Sequence, residues 1–403
     1  MRAFAKRFIQ VVFALALVFL FGAGKSELSV AHLSAPMRAV QISVITTSSW
    51  SELRSWFSRL KSAGVDTVII RVFKNSYDGH HKICQPNCDV GVYFKSNYLP
   101  CVCDILFQLC ALAHQSGLKI YAWMTTRRAD YGIKNQPELY SRYYDLKSQS
   151  LKISPRLSIF HPQAQVRLKA IFKELARYPI DGILIQDDLM LYYNEDFNPV
   201  AISLYYAERS AYALPERFYL EIKRLNGRAR VVKYSDEFWH WSKWKAEKLA
   251  QFAFELKRAV KEINPRIKVG MNLYYETAQA PKNALAWFAQ DLEVLGQYPL
   301  DFYCLMLYHR QMQNELGLNS FQLKEVLFRS ASYFFQMTPA SSEPVIKLML
   351  RDFETANPIS LEELQDVLEH LPFNSKAGLA FFPAFRTCER KLPILFQAWE
   401  KKR

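Results

Sequence analysis

Residues 180–188 read Ile-Asp-Gly-Ile-Leu-Ile-Gln-Asp-Asp, a short apolar run that leads directly into two adjacent carboxylates. Runs of roughly four to eight apolar residues are typical of parallel strands that are covered on both faces. Similar runs recur along the chain and predict further strands of the same kind. The eight predicted strands are Val40–Ile45, Thr67–Phe73, Lys119–Met124, Gly182–Gln186, Lys268–Leu273, Phe302–Leu307, Val345–Leu350 and Gly378–Phe382.

Amphipathic stretches lie between these runs and predict helices. Pro162 suits the first position of a helix, and Ser360 followed by Glu363 has the spacing of a capping box. Strands that are each followed by a helix predict a (β/α)8 barrel, here with long loops after strands two and four. An open doubly wound sheet is the alternative, but no Gly-x-Gly-x-x-Gly pattern follows the first strand. The predicted helices include Trp50–Ala63, Cys103–Ser116, Pro162–Tyr178, Ala284–Gly296 and Leu361–His370.

Two connections are longer than ordinary barrel loops, namely residues 74–100 and 190–266. We predict two extra helices in the second connection. It also contains Phe-Trp-His-Trp-Ser-Lys-Trp at residues 238–244. These aromatic side chains either pack in the core or form a wall on which sugar rings stack, and the pattern alone leaves both interpretations open.

The composition favours a large folded core. Of the 403 residues 50% are hydrophobic and 22% are charged, which excludes global disorder, and only 13 glycines argue against glycine-rich nucleotide folds. The net charge of +14 permits contact with an anionic surface. We predict no nucleic-acid partner, because no Lys/Arg block is long enough to form a binding arm. Peripheral contact with a membrane or with an export complex remains an expectation.

The N-terminal segment has the three parts of a secretion signal. A positively charged region precedes the apolar run Phe8–Phe21, and Gly-Ala-Gly follows at residues 22–24. We therefore predict a signal peptide over residues 1–24 and a periplasmic or secreted protein. An uncleaved anchor and a buried helix are the alternatives. The chain after the signal predicts one barrel domain over residues 39–400.

Seven cysteines fit an oxidising compartment. Their Cys-x3-Cys and Cys-x-Cys spacings differ from the Cys-x2-Cys pairs of zinc ribbons, so we predict a disulfide rather than a structural metal. Cys304 lies within an apolar run and is predicted to be a buried small hydrophobic side chain. At least one disulfide is expected among Cys84, Cys88, Cys101 and Cys103.

Side chains at the C-terminal ends of the strands are the candidates for binding, because the reactive groups of such barrels gather there. Trp123, Tyr274 and Tyr308 are expected to line the cleft, where their rings stack on sugar faces if the ligand is a carbohydrate; because all three follow apolar runs, core packing is the alternative. Glu195 and Asp196 follow the fourth strand and are the nearest candidates for a second carboxylate. The residues predicted to bind substrate are Arg71, Trp123, Arg128, Glu195, Asp196, Asn272, Tyr274 and Tyr308.

No metal and no cofactor are expected. The eight histidines are scattered, without His-x3-His or His-Glu-x-x-His spacing. No Gly-x-Ser-x-Gly elbow indicates a Ser-His-Asp triad. These patterns favour acid catalysis without a metal.

Asp187 and Asp188 are the sharpest chemical feature of the sequence. Two carboxyl groups placed close together cannot both ionise at low cost, so one pKa is expected to rise and that group to donate a proton. Cleavage of a glycosidic bond needs such a donor. Side chains alternate along a strand, so the two groups should not be equivalent: one is expected to donate the proton, and its neighbour to orient it or to hold a sugar hydroxyl group. A helix N-cap with a surface acid, or an ion-pair network, is the alternative.

The segment Tyr178–Asp188 resembles the Asp-Gly-Ile-Leu…Asp-Asp element in the C-terminal glycoside hydrolase domain of the PgaB family. Further segments are similar to that family in the same order, namely Val92–Phe94 with Leu99–Pro100, Lys119–Met124, Glu195–Phe197 and Met271–Tyr274. PgaB proteins are periplasmic deacetylases and hydrolases of poly-β-1,6-N-acetyl-D-glucosamine. The resemblance implies an endo-acting barrel hydrolase of a partly deacetylated amino-sugar polysaccharide, with the acidic pair contributing the general acid. Because the resemblance centres on Asp187, we predict Asp187 as the acid, and Asp188 is the alternative.

Two departures from the family bear on function. The N-terminal deacetylase domain of PgaB proteins has no counterpart here, so we expect no deacetylation. Gln186 stands where the family commonly has His, directly before the acidic pair. If no second carboxylate serves, the N-acetyl group of the substrate is the expected nucleophile. The alternative function is a non-catalytic barrel that binds polysaccharide and assists its export.

Overall fold

Eight parallel strands close into a barrel in which each strand pairs with the next one along the chain and the eighth pairs with the first. This computed structural model describes residues 35–225 and 228–403. The predicted (β/α)8 barrel is confirmed, and the third and eighth strands have the predicted bounds. The barrel strands are Arg38–Ile42, Thr67–Arg71, Lys119–Met124, Gly182–Ile185, Lys268–Tyr274, Phe302–Met306, Glu343–Met349 and Gly378–Phe382.

Helices surround the barrel and are anchored by local sequence signals. Ser49, Ser235 and Ser360 cap the helices that follow them by accepting a backbone N–H bond. The helix predicted over Ala284–Gly296 is in fact two helices. The helices are Trp50–Ser62, Leu106–Gln115, Pro162–Leu175, Pro199–Arg209, Asp236–Ile263, Glu276–Gln279, Pro281–Phe288, Leu292–Gln297, His309–Leu316, Ser320–Met337, Leu361–Glu369 and Leu392–Lys402, with short 3-10 turns at Pro137–Leu139, Pro215–Arg217 and Cys388–Arg390.

The break between those two helices has a backbone cause. Ala289 adopts a left-handed conformation with φ of 53°, which ends the first helix. Asp291 then caps the second helix by accepting from the backbone N–H groups of Glu293 and Val294. The spacing of apolar residues continues across this break, so the sequence pattern predicted one continuous helix.

Large aromatic side chains fill the interior of the barrel. The rings of Tyr121 on the third strand and Phe302 on the sixth strand lie 5.5 Å apart across the barrel. A Cβ atom on Gly182 would lie 2.5 Å from the ring of Tyr121, so only glycine leaves room for that ring. The scarce glycines of this chain are thus partly used for packing inside the barrel.

Two antiparallel hairpins extend the connections on either side of the fourth barrel strand. The first pairs Tyr140–Asp145 with Ser150–Leu157, and the second pairs Tyr219–Leu225 with Arg228–Tyr234. A two-residue hairpin, Phe73–Lys74 with Gly91–Val92, follows the second barrel strand. The second long connection does contain two helices, as predicted, but the two larger hairpins were not predicted.

The aromatic stretch at residues 238–244 belongs to the core. Phe238, Trp241 and Trp244 are buried. Trp241 stacks on Phe197 with ring centroids 5.7 Å apart. Of the two interpretations left open by the sequence, core packing is therefore the correct one for these three rings.

A disulfide joins Cys84 to Cys103 and ties the loop after the second barrel strand to the start of the segment that leads into the next helix. This confirms the expected disulfide in the cysteine-rich loop. Cys304 is a free, fully buried thiol in the sixth barrel strand, as predicted.

Residues Pro36–Arg403 form one compact unit. The signal peptide predicted for residues 1–24 lies outside the described residues. Among the helices within residues 35–225 and 228–403, none combines the length and the apolar character needed to cross a bilayer.

Candidate active site

A cleft of about 280 Å³ opens at the C-terminal ends of the barrel strands. Its walls are aromatic and amide side chains that follow several different strands, which is the usual architecture of a barrel active site. The lining residues are Gln41, Trp123, Gln186, Asp187, Asn272, Tyr274, Tyr275, Met306, Tyr308, Gln311, Phe353 and Phe382.

Asp187 presents its carboxyl group to this cleft. The hydroxyl group of Tyr274 donates to its Oδ2 atom at 3.3 Å. Burial raises the pKa of Asp187 above the ordinary value, and the negative charge of Asp188 raises it further. The positive charge of Lys347 opposes this shift. Asp187 therefore has the half-buried position and the raised pKa that suit a proton donor.

Asp188 has a different environment, as strand alternation requires. Its side chain is buried and accepts hydrogen bonds from the hydroxyl groups of Thr125 and Thr126, at 2.7 and 2.9 Å. The backbone N–H groups of Thr126 and Arg128 donate to it as well. Asp188 thus joins the end of the fourth strand to the loop after the third strand, and its oxygens are occupied there.

Lys347 lies fully buried inside the barrel, on the seventh strand. Its ammonium group donates to Oδ1 of Asn272, a residue predicted to bind substrate. Burial lowers the pKa of Lys347, whereas the neighbouring Cys304 and Asp187 raise it. This lysine was not predicted as a site residue, although a charged residue within the apolar run Val345–Leu350 is a signal that could have identified it.

Aromatic rings form two sides of the cleft. Tyr274 stacks on Phe288 with ring centroids 4.3 Å apart, which fixes the orientation of its ring. On another side Trp123 meets Phe382 edge to face at 5.7 Å, and Tyr308 stacks on the same Phe382 at 6.2 Å. Of the residues predicted to bind substrate, four therefore lie in the cleft together with Asp187, namely Trp123, Asn272, Tyr274 and Tyr308.

Arg71 and Arg128 do not belong to the lining of the cleft. Arg71 is buried and pairs with Asp78 at 2.9 Å, so its guanidinium group holds the loop after the second strand. Arg128 donates to the hydroxyl group of Tyr77 and lies 5.6 Å from the centre of that ring. Both arginines lie at or just beyond the C-terminal end of a barrel strand, which is why they were predicted to bind substrate. Their local partners, Asp78 and Tyr77, hold their charges outside the cleft lining.

Glu195 and Asp196 also lie away from the cleft, inside the protein. Glu195 is buried and pairs with Arg127 at 3.1 Å. Burial alone would raise the pKa of Glu195, but Arg127 and the hydroxyl group of Ser154 lower it. Asp196 is fully buried and accepts from the backbone N–H group of Asn198 at 3.0 Å. Neither residue is placed to serve as a second carboxylate.

Several cleft residues were absent from the predicted set. Gln41 lies within the first strand, inside an apolar run, and so does not stand out in the sequence, and Gln311 lies on a helix beyond the sixth strand. Phe353 is 45% exposed, and its ring meets Tyr308 edge to face at 5.2 Å. Within the described residues, no group of three or more His, Cys, Asp or Glu side chains could hold a metal ion.

Replacing Tyr274 by Ala is expected to weaken oligosaccharide binding by about 1–2 kcal/mol, because a ring face at the cleft wall is lost. Isothermal titration of an oligosaccharide of N-acetylglucosamine measures this change. The matched control is Tyr212→Ala, since Tyr212 is 62% exposed and outside the cleft lining. A Tyr274 variant that is less stable but binds as tightly as the unmodified protein would show that the ring only packs the core.

Comparison with known proteins identifies similar sequences. Residues 47–382 match the family described as "Hypothetical glycosyl hydrolase family 13". The chain is 24% identical over 337 residues to a protein of Escherichia coli strain K12 named poly-beta-1,6-N-acetyl-D-glucosamine N-deacetylase, and equally to its counterpart in Escherichia coli O157:H7. The match covers 81% of this chain but only 45% of each relative, so the chain spans less than half of their length.

Solved structures share the fold. The PgaB (BpsB) glycoside hydrolase domain from Bordetella bronchiseptica aligns with a TM-score of 0.68 and 20% identity, over 90% of this chain and 98% of that one. The beta-galactosidase from the psychrophilic Marinomonas ef1 aligns with a TM-score of 0.57 and 11% identity, over 90% of this chain and 59% of that one. The resemblance to the PgaB hydrolase domain that the sequence indicated is confirmed.

Proposed function

Because the chain belongs to the family described as "Hypothetical glycosyl hydrolase family 13", we propose that it is an exported, endo-acting hydrolase of partly deacetylated poly-β-1,6-N-acetylglucosamine that needs no metal. The name of the Escherichia coli relatives supports the substrate, and the aromatic cleft supports the binding of sugar rings. The observation that carries the proposal is Asp187, a carboxyl group with a raised pKa at the centre of that cleft.

Asp187 acts as the general acid. Its pKa is raised by burial first and by Asp188 second, so at neutral pH a larger fraction carries a proton than in an ordinary aspartic acid. That proton passes to the glycosidic oxygen as the bond to the anomeric carbon breaks. Asp188 takes no part in the transfer, but its negative charge helps to keep the proton on its neighbour.

The nucleophile in this proposal comes from the substrate. Among the described residues that line the cleft, Asp187 is the only carboxylate. The carbonyl oxygen of the substrate's N-acetyl group therefore attacks the anomeric carbon while the leaving sugar takes the proton from Asp187. Water then opens the resulting cyclic cation and returns a proton to Asp187. The hydroxyl group of Tyr274, 3.3 Å from Oδ2 of Asp187, helps to hold the carboxyl group during both steps.

Acidic groups beside the cleft fit the cationic glucosamine units of a partly deacetylated polymer. Tyr275 lines the cleft and donates to Glu315 at 2.7 Å. Burial and the neighbouring Glu315 raise the pKa of Glu276 to about 7. Glu276 is thus only partly ionised at neutral pH, and Glu315, which Tyr275 joins to the cleft wall, is the acidic group on this side that supports an amino-sugar substrate.

Replacing Lys347 by Met is expected to move the alkaline limb of the pH–activity profile to higher pH. Asp187 must be protonated to act, so activity falls as the pH rises through its pKa. The charge of Lys347 lowers that pKa, and its removal therefore raises it. Met fills a similar volume, so the barrel interior stays packed. Initial rates measured across a range of pH test this prediction.

Lys268→Met is the matched control, because Lys268 begins the fifth strand at the opposite end of the barrel and pairs with Glu343 at 3.5 Å. Its profile should coincide with that of the unmodified protein. An unshifted profile for Lys347→Met would show that this lysine carries no charge in the active protein.

A polysaccharide-binding barrel without catalysis is the second candidate, since a single carboxylate at the cleft is also compatible with binding alone. The two functions differ in the fate of the polymer. Viscosity of a partly deacetylated β-1,6-glucosamine polymer falls early if the protein cleaves internal bonds, and stays constant if it only binds. A constant viscosity together with measurable binding would replace the hydrolase by the binding protein.

A further inference from the structure

Two side-chain amides of the cleft are held in one orientation by groups that can only donate hydrogen bonds. The ammonium group of Lys347 donates to Oδ1 of Asn272. The indole N–H group of Trp123 donates to Oε1 of Gln186. Neither an ammonium group nor an indole N–H group accepts a hydrogen bond, so each holds the amide oxygen and leaves the amide nitrogen pointing elsewhere.

The two amide nitrogens are free to bind a ligand. In the part of the chain that the structure describes, no group accepts a hydrogen bond from Nδ2 of Asn272 or from Nε2 of Gln186. Both residues line the cleft, and neither nitrogen is a buried atom without a partner. The N–H groups of both amides therefore face the open space of the cleft, where a bound molecule reaches them.

Asn272 and Gln186 lie side by side on neighbouring strands. Asn272 belongs to the fifth barrel strand, and Gln186 directly follows the fourth. Met271 pairs in register with Ile185, so the next residue on each chain segment is again a neighbour, about 5 Å away across the strands. Gln186 continues the sheet, because its backbone N–H group donates to Met124 of the third strand at 2.9 Å. Two amide N–H groups at this spacing can converge on one acceptor atom.

An N-acetylated sugar unit offers the acceptor that these two donors need. The carbonyl oxygen of an acetamido group accepts two hydrogen bonds and donates none, whereas the ammonium group of a glucosamine unit only donates. A glucosamine unit would therefore leave both amides unpaired. The charge of Lys347, directly behind Asn272, also opposes a second cation at this place.

We propose that the amides of Asn272 and Gln186 donate to the carbonyl oxygen of an N-acetyl group, and that they select an N-acetylated unit over a glucosamine unit beside Asp187. This assignment rests on the proposed function, in which the substrate is an amino-sugar polymer and its N-acetyl group is the nucleophile. Glu315, which Tyr275 joins to the cleft wall, is not part of this pair and suits a glucosamine unit elsewhere on the same polymer.

Calorimetric titration with two β-1,6-linked tetrasaccharides of glucosamine tests this proposal, one fully N-acetylated and the other fully deacetylated. Every protein that is titrated carries Asp187→Asn, so that the ligand is not consumed. The acetylated ligand should bind about tenfold more tightly or better, because the two donors gain a partner only with that ligand. The uncharged replacement Gln186→Met should weaken binding of the acetylated ligand about fivefold without weakening that of the deacetylated one.

A second variant, Asn272→Asp, keeps an oxygen for Lys347 and removes only the donor. It should also bind the acetylated ligand about fivefold less tightly. The matched control is Asn314→Asp, the same exchange at an exposed residue of the helix His309–Leu316, outside the cleft lining. Its affinity for the acetylated ligand should equal that of the parent protein. An equal loss in Asn272→Asp and in this control would assign the effect to charge and overturn the proposal.

The outcome is separable from that of the hydrolase function, because binding and cleavage are measured apart. Equal affinity for the two tetrasaccharides, or no binding of either, overturns the assignment even where the unmodified protein cleaves the polymer. Unchanged affinity for the acetylated ligand in both amide variants overturns it as well. A preference for the acetylated ligand that both variants lose supports the assignment, even if the unmodified protein leaves the polymer intact and only the hydrolase function fails.

Discussion

Replacing Asp187 by Asn is expected to lower turnover by about 10²–10⁴-fold, the usual loss when a general acid is removed. Asn has nearly the same shape but no proton to donate to the leaving oxygen. The fold should survive, because the side chain lines an open cleft and its one side-chain hydrogen bond comes from Tyr274. Turnover of an oligosaccharide and the midpoint of thermal unfolding, measured on the same sample, check both parts.

Asp188→Asn is the matched variant for this experiment. An amide group cannot accept all the hydrogen bonds that the carboxylate accepts from Thr125, Thr126 and Arg128, so a buried donor is left unsatisfied. We expect a loss of about 1–3 kcal/mol in the free energy of unfolding. A fully active Asp187 variant beside an inactive but stable Asp188 variant would exchange the roles assigned to the two carboxyl groups.

Replacing Glu195 by Ala is expected to reduce the free energy of unfolding by about 3–5 kcal/mol, because it breaks a buried ion pair from one side. Arg127 is fully buried and would lose its carboxylate partner at 3.1 Å. Lys245, whose ammonium group donates to the backbone carbonyls of Tyr192 and Glu195, would lose a nearby negative charge. Unfolding in denaturant measures the change.

Glu262→Ala supplies the control for that measurement. Glu262 pairs with Lys173 at 2.6 Å, but the pair is exposed to solvent, where ion pairs contribute little. Its removal should leave the denaturation midpoint almost unchanged. If the two glutamate variants unfold alike, the Glu195 network does not support the loop that follows the fourth barrel strand.

The barrel could be predicted from the sequence because each parallel strand is buried on both faces and so forms an apolar run. The third strand, Lys119–Met124, illustrates this, since its bounds follow directly from its composition. The hairpin strand Ser150–Leu157 gave no such signal, because its residues are mostly exposed and mix polar and apolar types. A prediction based on apolar runs therefore does not detect hairpins that lie outside the core.

The candidate site was predictable in part for a related reason. Barrel sites lie at strand ends, and this rule predicted Trp123, Tyr274 and Asp187 as site residues; all three line the cleft. Glu195 was added because it is close in sequence, but the chain turns inward after the fourth strand and buries it against Arg127. Lys347 was missed because it lies within a strand rather than at its end. Proximity along the chain is a poor guide once a loop folds back into the protein.

The central claim is that Asp187 donates a proton in the cleavage of partly deacetylated poly-β-1,6-N-acetylglucosamine, and mass spectrometry of the released products tests it most directly. The account predicts short oligosaccharides from the unmodified protein, each with N-acetylglucosamine at the new reducing end because the N-acetyl group is the nucleophile. It predicts almost none from Asp187→Asn. An intact polymer after incubation with the unmodified protein, or equal release by the variant, would contradict it.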